Sequence, residues 1–243
     1  MLQFVPPNLT EHPLVLAPDE AYRGPAGPLP PSGPPSPSPT SERGALTERV
    51  FLGGPVSVPI TPEYTAGDPA LKAFVEREAG HSTYHLVHLS VSFANGPGLP
   101  PLRTASVELR LSSASGVRPP VAWSMSPLRV DEVSQVQQTF HLGPELKFQD
   151  VEVALGGYEA SRSAARTAPF LLGMRELRDD PGWEFTRTRT MALDGTHRLV
   201  LVVRAERGGT AGVTGTVRAT TRGNLLRRYR SALPRPLTLS TVL

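Results

Sequence analysis

With 243 residues, 39% of them hydrophobic and 19% charged, the chain can bury one large core or two small ones and is not globally disordered. Cysteine is absent, which excludes disulfides, thiol nucleophiles and Cys-ligated zinc. The formal net charge of +3 is unevenly spread: residues 1–150 hold 10 basic and 14 acidic side chains, and 151–243 hold 15 arginines against 8 acids.

Only 6% of residues are aromatic, and 22 glycines with 27 prolines break the chain into short segments separated by turns, which favours β-structure. Lysine is represented by Lys72 and Lys147 alone, against 23 arginines, a bias that a GC-rich bacterial coding sequence produces without any functional demand. The first residues, Met1 to Pro7, lack a basic stretch followed by an apolar run, and no window of about 18 apolar residues occurs. The expectation is a cytoplasmic protein with no transmembrane segment.

Residues 1–45 form a Pro-rich N-terminal arm that peaks between Gly24 and Pro39. Proline cannot donate to a ladder and fixes φ, so the expectation is an extended linker. Overlapping PxxP spacings, such as Pro25/Pro28 and Pro31/Pro34, arise by chance in any such spacer. Phe4-Val5 and Leu14-Val15-Leu16 are apolar enough to pack on the core or on a neighbouring subunit.

Residues 46–83 read as a connecting segment with one short helix at 69–79. Asp68 is placed to cap it, Pro69 suits its first position and Gly80 lies past its end, with Leu71, Phe74, Val75 and Glu78 on one side. That stripe should cover a sheet edge or an open sandwich end. After Gly80 the period becomes two: Val87, Leu89, Val91 and Phe93; then Val107, Leu109 and Leu111; then Val121, Trp123 and Met125. Weaker strand patterns follow at Val136–Leu142, Leu146–Leu155 and Phe170–Met174. Residues 84–223 therefore read as an all-β domain, a mainly antiparallel β-sandwich.

Asp194-Gly195 is a two-residue turn signal, from which a hairpin of Trp183–Leu193 and Thr196–Ala205 is expected, followed by a third strand at Val213–Thr220. An even loop puts Arg187, Arg189, Arg198 and Arg204 on one face, with Thr186, Thr188 and Thr190 on the other. The tail, 224–243, is basic. Leu225, Leu226, Tyr229 and Leu233 share a helical face, so Asn224–Leu233 reads as a short amphipathic helix.

Catalytic signatures are weak. His81, His85 and His88 would share a face of a helix, but on a strand His85 and His88 point to opposite faces, and no carboxylate at His-Glu-x-x-His spacing supports zinc. Asp179-Asp180 precedes Pro181-Gly182 as a turn, the Ser112–Gly116 stretch is not a nucleophile elbow, and the glycine pairs lack the elements of a phosphate loop. Trp123 and Trp183 sit at inward positions of their alternating runs.

The function read from these features is a non-catalytic β-sandwich module for protein interaction or assembly, an accessory subunit of a larger bacterial complex, with no cofactor and no metal. The alternative is binding of nucleic acid or anionic lipid. The residues placed at the partner or anion site are Arg187, Arg189, Arg198, Arg204, Arg222, Arg227, Arg228, Tyr229 and Arg230. The partner expected is another protein or a second copy of the chain.

Overall fold

The structure is a computed structural model that describes residues 7–14, 17–18, 48–98, 100–113, 118–131, 138–141, 147–150, 169–221, 229–232 and 237–239. The expected Pro-rich linker lies outside them. In chain order the strands are β1 (Glu11–Pro13), β2 (Ala17–Pro18), β3 (Val50–Pro59), β4 (Ser82–Phe93), β5 (Leu102–Ser113), β6 (Val121–Ser126), β7 (Arg129–Val130) and β8 (Gln138–His141). After these come β9 (Lys147–Asp150), β10 (Leu171–Met174), β11 (Gly182–Thr186), β12 (Gly195–Glu206), β13 (Ala211–Thr221), β14 (Tyr229–Ala232) and β15 (Leu237–Leu239). A single described helix, α1 (Pro69–Glu78), separates β3 from β4.

Two sheets stack as a sandwich, and every described pairing is antiparallel. The first sheet runs β1-β3-β4-β12-β6, and the second runs β2-β14-β13-β5-β11-β10-β7, with β15 also on β13. Strands β8 and β9 form a separate two-stranded ladder. The period-two runs supply the interior: Val87, Leu89, Val91 and Phe93 from one sheet meet Val107, Leu109, Leu111, Trp183, Phe185 and Val213 from the other. Trp183 is fully buried, and its indole N–H donates to the Pro127 carbonyl at 2.9 Å, so this large side chain leaves no orphaned donor in the core.

The helix forms where the capping residues specify it. Asp68 is extended and accepts from the Leu71 N–H at 3.1 Å, and Pro69 occupies the first turn, where its missing N–H costs nothing. Leu71, Phe74 and Val75 pack on Ile60, Tyr84, Leu86, Val200 and Val202. The apolar stripe thus covers the outer face of the first sheet, not an edge or an open end. This explains why five successive residues of β12, Leu199 to Val203, are all buried: alternate side chains face the sandwich and the helix.

Four further expectations change at this level. Val50–Pro59, inside the segment read as a connection, is a ten-residue strand paired along β4. The Asp194-Gly195 hairpin does not form, because β11 pairs with β5 and β10 in one sheet while β12 pairs with β4 and β6 in the other. A two-residue type I′ loop needs positive φ at both central residues. Only Gly195, at φ 71°, has it, and the turn opens β12 after a crossing between sheets. Trp123 points outward, not inward, because a β-bulge opposite Val202/Val203 shifts the parity of β6 and sends Ala122 and Met125 to the core. Tyr229–Ala232, expected in a helix, is strand β14 on β13. A ten-residue basic helix is marginal alone, whereas the edge of β13 satisfies its backbone groups directly.

Candidate interaction site

The outer face of the first sheet carries the even positions of β4. Toward the end of that strand these are Ser90 and Ser92, only 3% and 8% exposed, and buried hydroxyls need partners. Glu11 of β1 supplies one. Its Oε1 accepts from Ser92 Oγ at 2.7 Å and from Ser90 Oγ at 3.1 Å, and the Ser92 hydroxyl also meets Thr196 Oγ1 of β12 at 2.6 Å.

Strand β1 does not pair with β4, so the carboxylate must cross the intervening strand. It crosses at Gly53, the direct partner of Glu11. A Cβ at residue 53 would stand 2.2 Å from Ser90 Oγ and 3.2 Å from Glu11 Cγ, so no other residue leaves the passage open. The seat has a second anchor three residues on. The Leu14 N–H donates to the Val50 carbonyl at 2.8 Å, and the Leu14 side chain, 3% exposed, enters the sandwich core. Beyond Gly53 a bulge breaks the register of β3, which limits β1 to Phe51, Leu52 and Gly53. The strand residues Glu11 to Pro13 are themselves exposed, so beside its backbone pairing with β3 the seat engages one carboxylate and one leucine.

Of the nine residues assigned to an anion site from sequence, six lie among the described residues, on different elements. Arg187 and Arg189 lie after β11 on the crossing between sheets, where the Arg187 N–H donates to the Arg103 carbonyl at 2.8 Å. Arg198 and Arg204 lie on β12, opposite Ser90 and Tyr84 respectively. The hairpin from which the four-arginine face was expected is therefore absent. Tyr229 and Arg230 are in β14, opposite Ala219 and Arg218. Arg222, Arg227 and Arg228 lie outside the described residues.

His85 and His88 occupy opposite faces of β4, as a period of two requires, with His85 Nδ1 3.5 Å from Ser57 Oγ. Burial holds the His85 imidazole below its ordinary pKa. Asp179 and Asp180 each face an arginine, Arg110 at 3.7 Å and Arg175 at 3.3 Å. No group of three or more His, Asp or Glu side chains gathers among the described residues. Likewise, no described helix is long and apolar enough to cross a membrane.

Sequence reasoning missed Glu11, Gly53, Ser90, Ser92 and Thr196. Two signals were present: polar Ser90 and Ser92 inside an otherwise apolar strand, and Gly53-Gly54 interrupting the run that begins at Val50. Neither reveals that Glu11, 79 residues before Ser90, is the acceptor.

No protein-family model matches this chain, and no curated protein matches it. Among solved structures, the crystal structure of the Clostridium perfringens NetB toxin in the membrane inserted form is similar over 78% of this chain and 88% of that chain, with 6% sequence identity and a TM-score of 0.30.

Proposed function

We propose that this chain is a non-catalytic β-sandwich module of protein assembly, an accessory subunit in which the seat on the first sheet receives strand β1 from a neighbouring copy. The observation that carries the reading is the lock itself: Glu11 through the Gly53 gap to Ser90 and Ser92, with Leu14 in the core. These contacts are specified by side chains, and a second copy presents the same side chains. Strand addition to a sheet edge is a general mode of recognition, with backbone bonds giving affinity and side-chain pockets giving specificity. Exchange of an identical element is likewise a low-cost route to oligomers.

The choice between the chain's own strand and a neighbour's is set by effective concentration. Residues 15–49, of which Ala17 and Pro18 also pair with β14, connect Leu14 to Val50, and nine of these 35 are proline. Proline stiffens a connection, and effective concentration falls with tether length from the millimolar level of short flexible linkers. Sedimentation of the full chain over a concentration series tests this. The expected result is growth from monomer to dimer or larger that is lost in Glu11→Ala and in Leu14→Ala. A monomer at every concentration, or association that both variants retain, would refute it.

A further inference from the structure

At the other end of the same sheet, the starts of β4 and β6 and the end of β12 converge on a cleft of about 590 Å³. It is lined by His81 and Ser82 entering β4, Arg118 and Pro119 before β6, and Arg204, Glu206 and Arg207 leaving β12. That volume lies in the range of small-ligand sites.

The arginines here are held differently from four others in the fold. Arg110, Arg129, Arg175 and Arg218 each face a carboxylate, namely Asp179, Asp131, Asp180 and Glu108. Arg118, Arg204 and Arg207 have no carboxylate within salt-bridge distance among the described residues, although Glu206 shares the cleft. Two of them are oriented by neutral partners instead. The Arg204 Nε donates to Ser82 Oγ at 3.0 Å while its guanidinium stacks 5.0 Å from the centre of the Trp123 ring. The Arg207 Nη1 donates to the Ala79 carbonyl at 3.1 Å, at the negative end of α1.

A guanidinium presents five N–H donors in a planar fork. Fixing one or two of them to neutral acceptors orients the fork without neutralising it, which leaves a pre-organised donor set that matches the oxygens of carboxylate or phosphate. Next to this set, Tyr84 pairs directly with Arg204 across the ladder and is 3% exposed. Three guanidinium groups against one carboxylate in the lining describe a site whose acceptor comes from outside the chain.

We propose that the cleft formed by Arg118, Arg204 and Arg207 binds a multiply charged oxyanion. Its chemistry is shared by phosphate and carboxylate ligands, and two titration arms separate them. Isothermal titration of the full chain at low ionic strength is run with pyrophosphate in one arm and citrate in the other. Saturable binding is expected in at least one arm, and the tighter arm names the oxyanion. Arg118→Gln and Arg207→Gln should each weaken it about tenfold, the loss of one charge-assisted pair. Arg103→Gln, an exposed arginine of the second sheet, should leave it unchanged. Arg118 makes no described contact, so Arg118→Gln keeps the test independent of any effect of Arg207 on the helix end. Absence of saturable heat in both arms would overturn the proposal. Binding that survives Arg118→Gln, or that falls equally in Arg103→Gln, would also overturn it.

Discussion

The outer face of the first sheet has two polar ends, separated by the helix-covered apolar middle, and they solve the same physical problem in opposite ways. At the Ser90 end the donors are hydroxyls, and the chain supplies their acceptor by bringing in Glu11 through the Gly53 gap. At the Arg204 end the donors are guanidinium groups oriented by Ser82, Trp123 and the Ala79 carbonyl, with no carboxylate delivered to them. The contrast teaches that an accounting of polar partners separates a contact the fold completes from one it leaves for a ligand. Variants at the two ends should therefore fail differently, the first in stability and assembly, the second in binding alone.

The largest effect is expected at the apolar anchor of the seat. Leu14→Ala should cost about 2–5 kcal/mol in denaturant unfolding, the usual range for a fully buried leucine. A cost near zero would mean that β1 is not held. Gly53→Ala closes the gap and should cost about 1–3 kcal/mol by overpacking, since the new Cβ meets the short Ser90 side chain. Glu11→Gln keeps the shape and removes the charge, and should cost about 1–2 kcal/mol. If Gly53→Ala were silent in equilibrium unfolding while Glu11→Gln was costly, the passage of Glu11 over Gly53 would be wrong.

Acid should weaken the sandwich through a different group. His197, beside Thr196, packs among Phe93, Phe170 and Phe185 with ring centroids 5.2–5.7 Å away. Burial holds its pKa below the ordinary value, against the opposing pull of Asp194, and burial does the same to His85. Both rings then bind fewer protons folded than unfolded. Stability is accordingly full above the unfolded value of about 6.5 and declines as pH falls below it. His197→Gln should flatten that decline in urea titrations at pH 7.5 and 5.5, and an unchanged slope would show that the ring is not held neutral.

At the cleft, Arg118→Gln should shift stability by less than about 0.5 kcal/mol, as exposed substitutions do. Tyr84→Phe removes a buried hydroxyl that makes no hydrogen bond of good geometry, although the Glu78 carboxylate is near, and should be neutral or slightly stabilising. Burial, opposed by Arg204 and reinforced by Glu78, pushes that hydroxyl up to about 12, so it remains a donor across the working range. A clear loss of stability in Tyr84→Phe would mean that the hydroxyl is already bonded within the fold.

Local periodicity carried much of this architecture. The alternation from Val87 to Phe93 and from Val107 to Leu111 placed the right side chains inward, and Asp68 with Pro69 marked the helix start to the residue. Features that depend on distant pairing were not legible. Whether Asp194-Gly195 closes a hairpin or starts a strand depends on which sheet offers β11 and β12 more ladder, and β4 pairs with β12 over its whole length. The bulge at Trp123 belongs to the pairing of β6 with β12, so the sequence of β6 alone cannot reveal it. The two candidate sites share this property. Glu11 meets Ser92 across 81 residues, and Arg118 shares a cleft with Arg204 only because β6 and β12 are neighbours in the sheet.

The central claim, that β1 of one copy fills the seat of another, is testable because the chain contains no cysteine of its own. Pro13 and Phe51 are direct partners across β1 and β3. A chain carrying Pro13→Cys alone is mixed at high concentration with a chain carrying Phe51→Cys alone, and the mixture is oxidised gently. The doubly substituted chain serves as the reference for correct geometry. The expected result is a disulfide-linked heterodimer on a non-reducing gel, in excess over either homodimer and suppressed by Glu11→Ala. Closure within the doubly substituted chain, with no heterodimer in the mixture, would show that each copy keeps its own strand and would contradict the assembly reading.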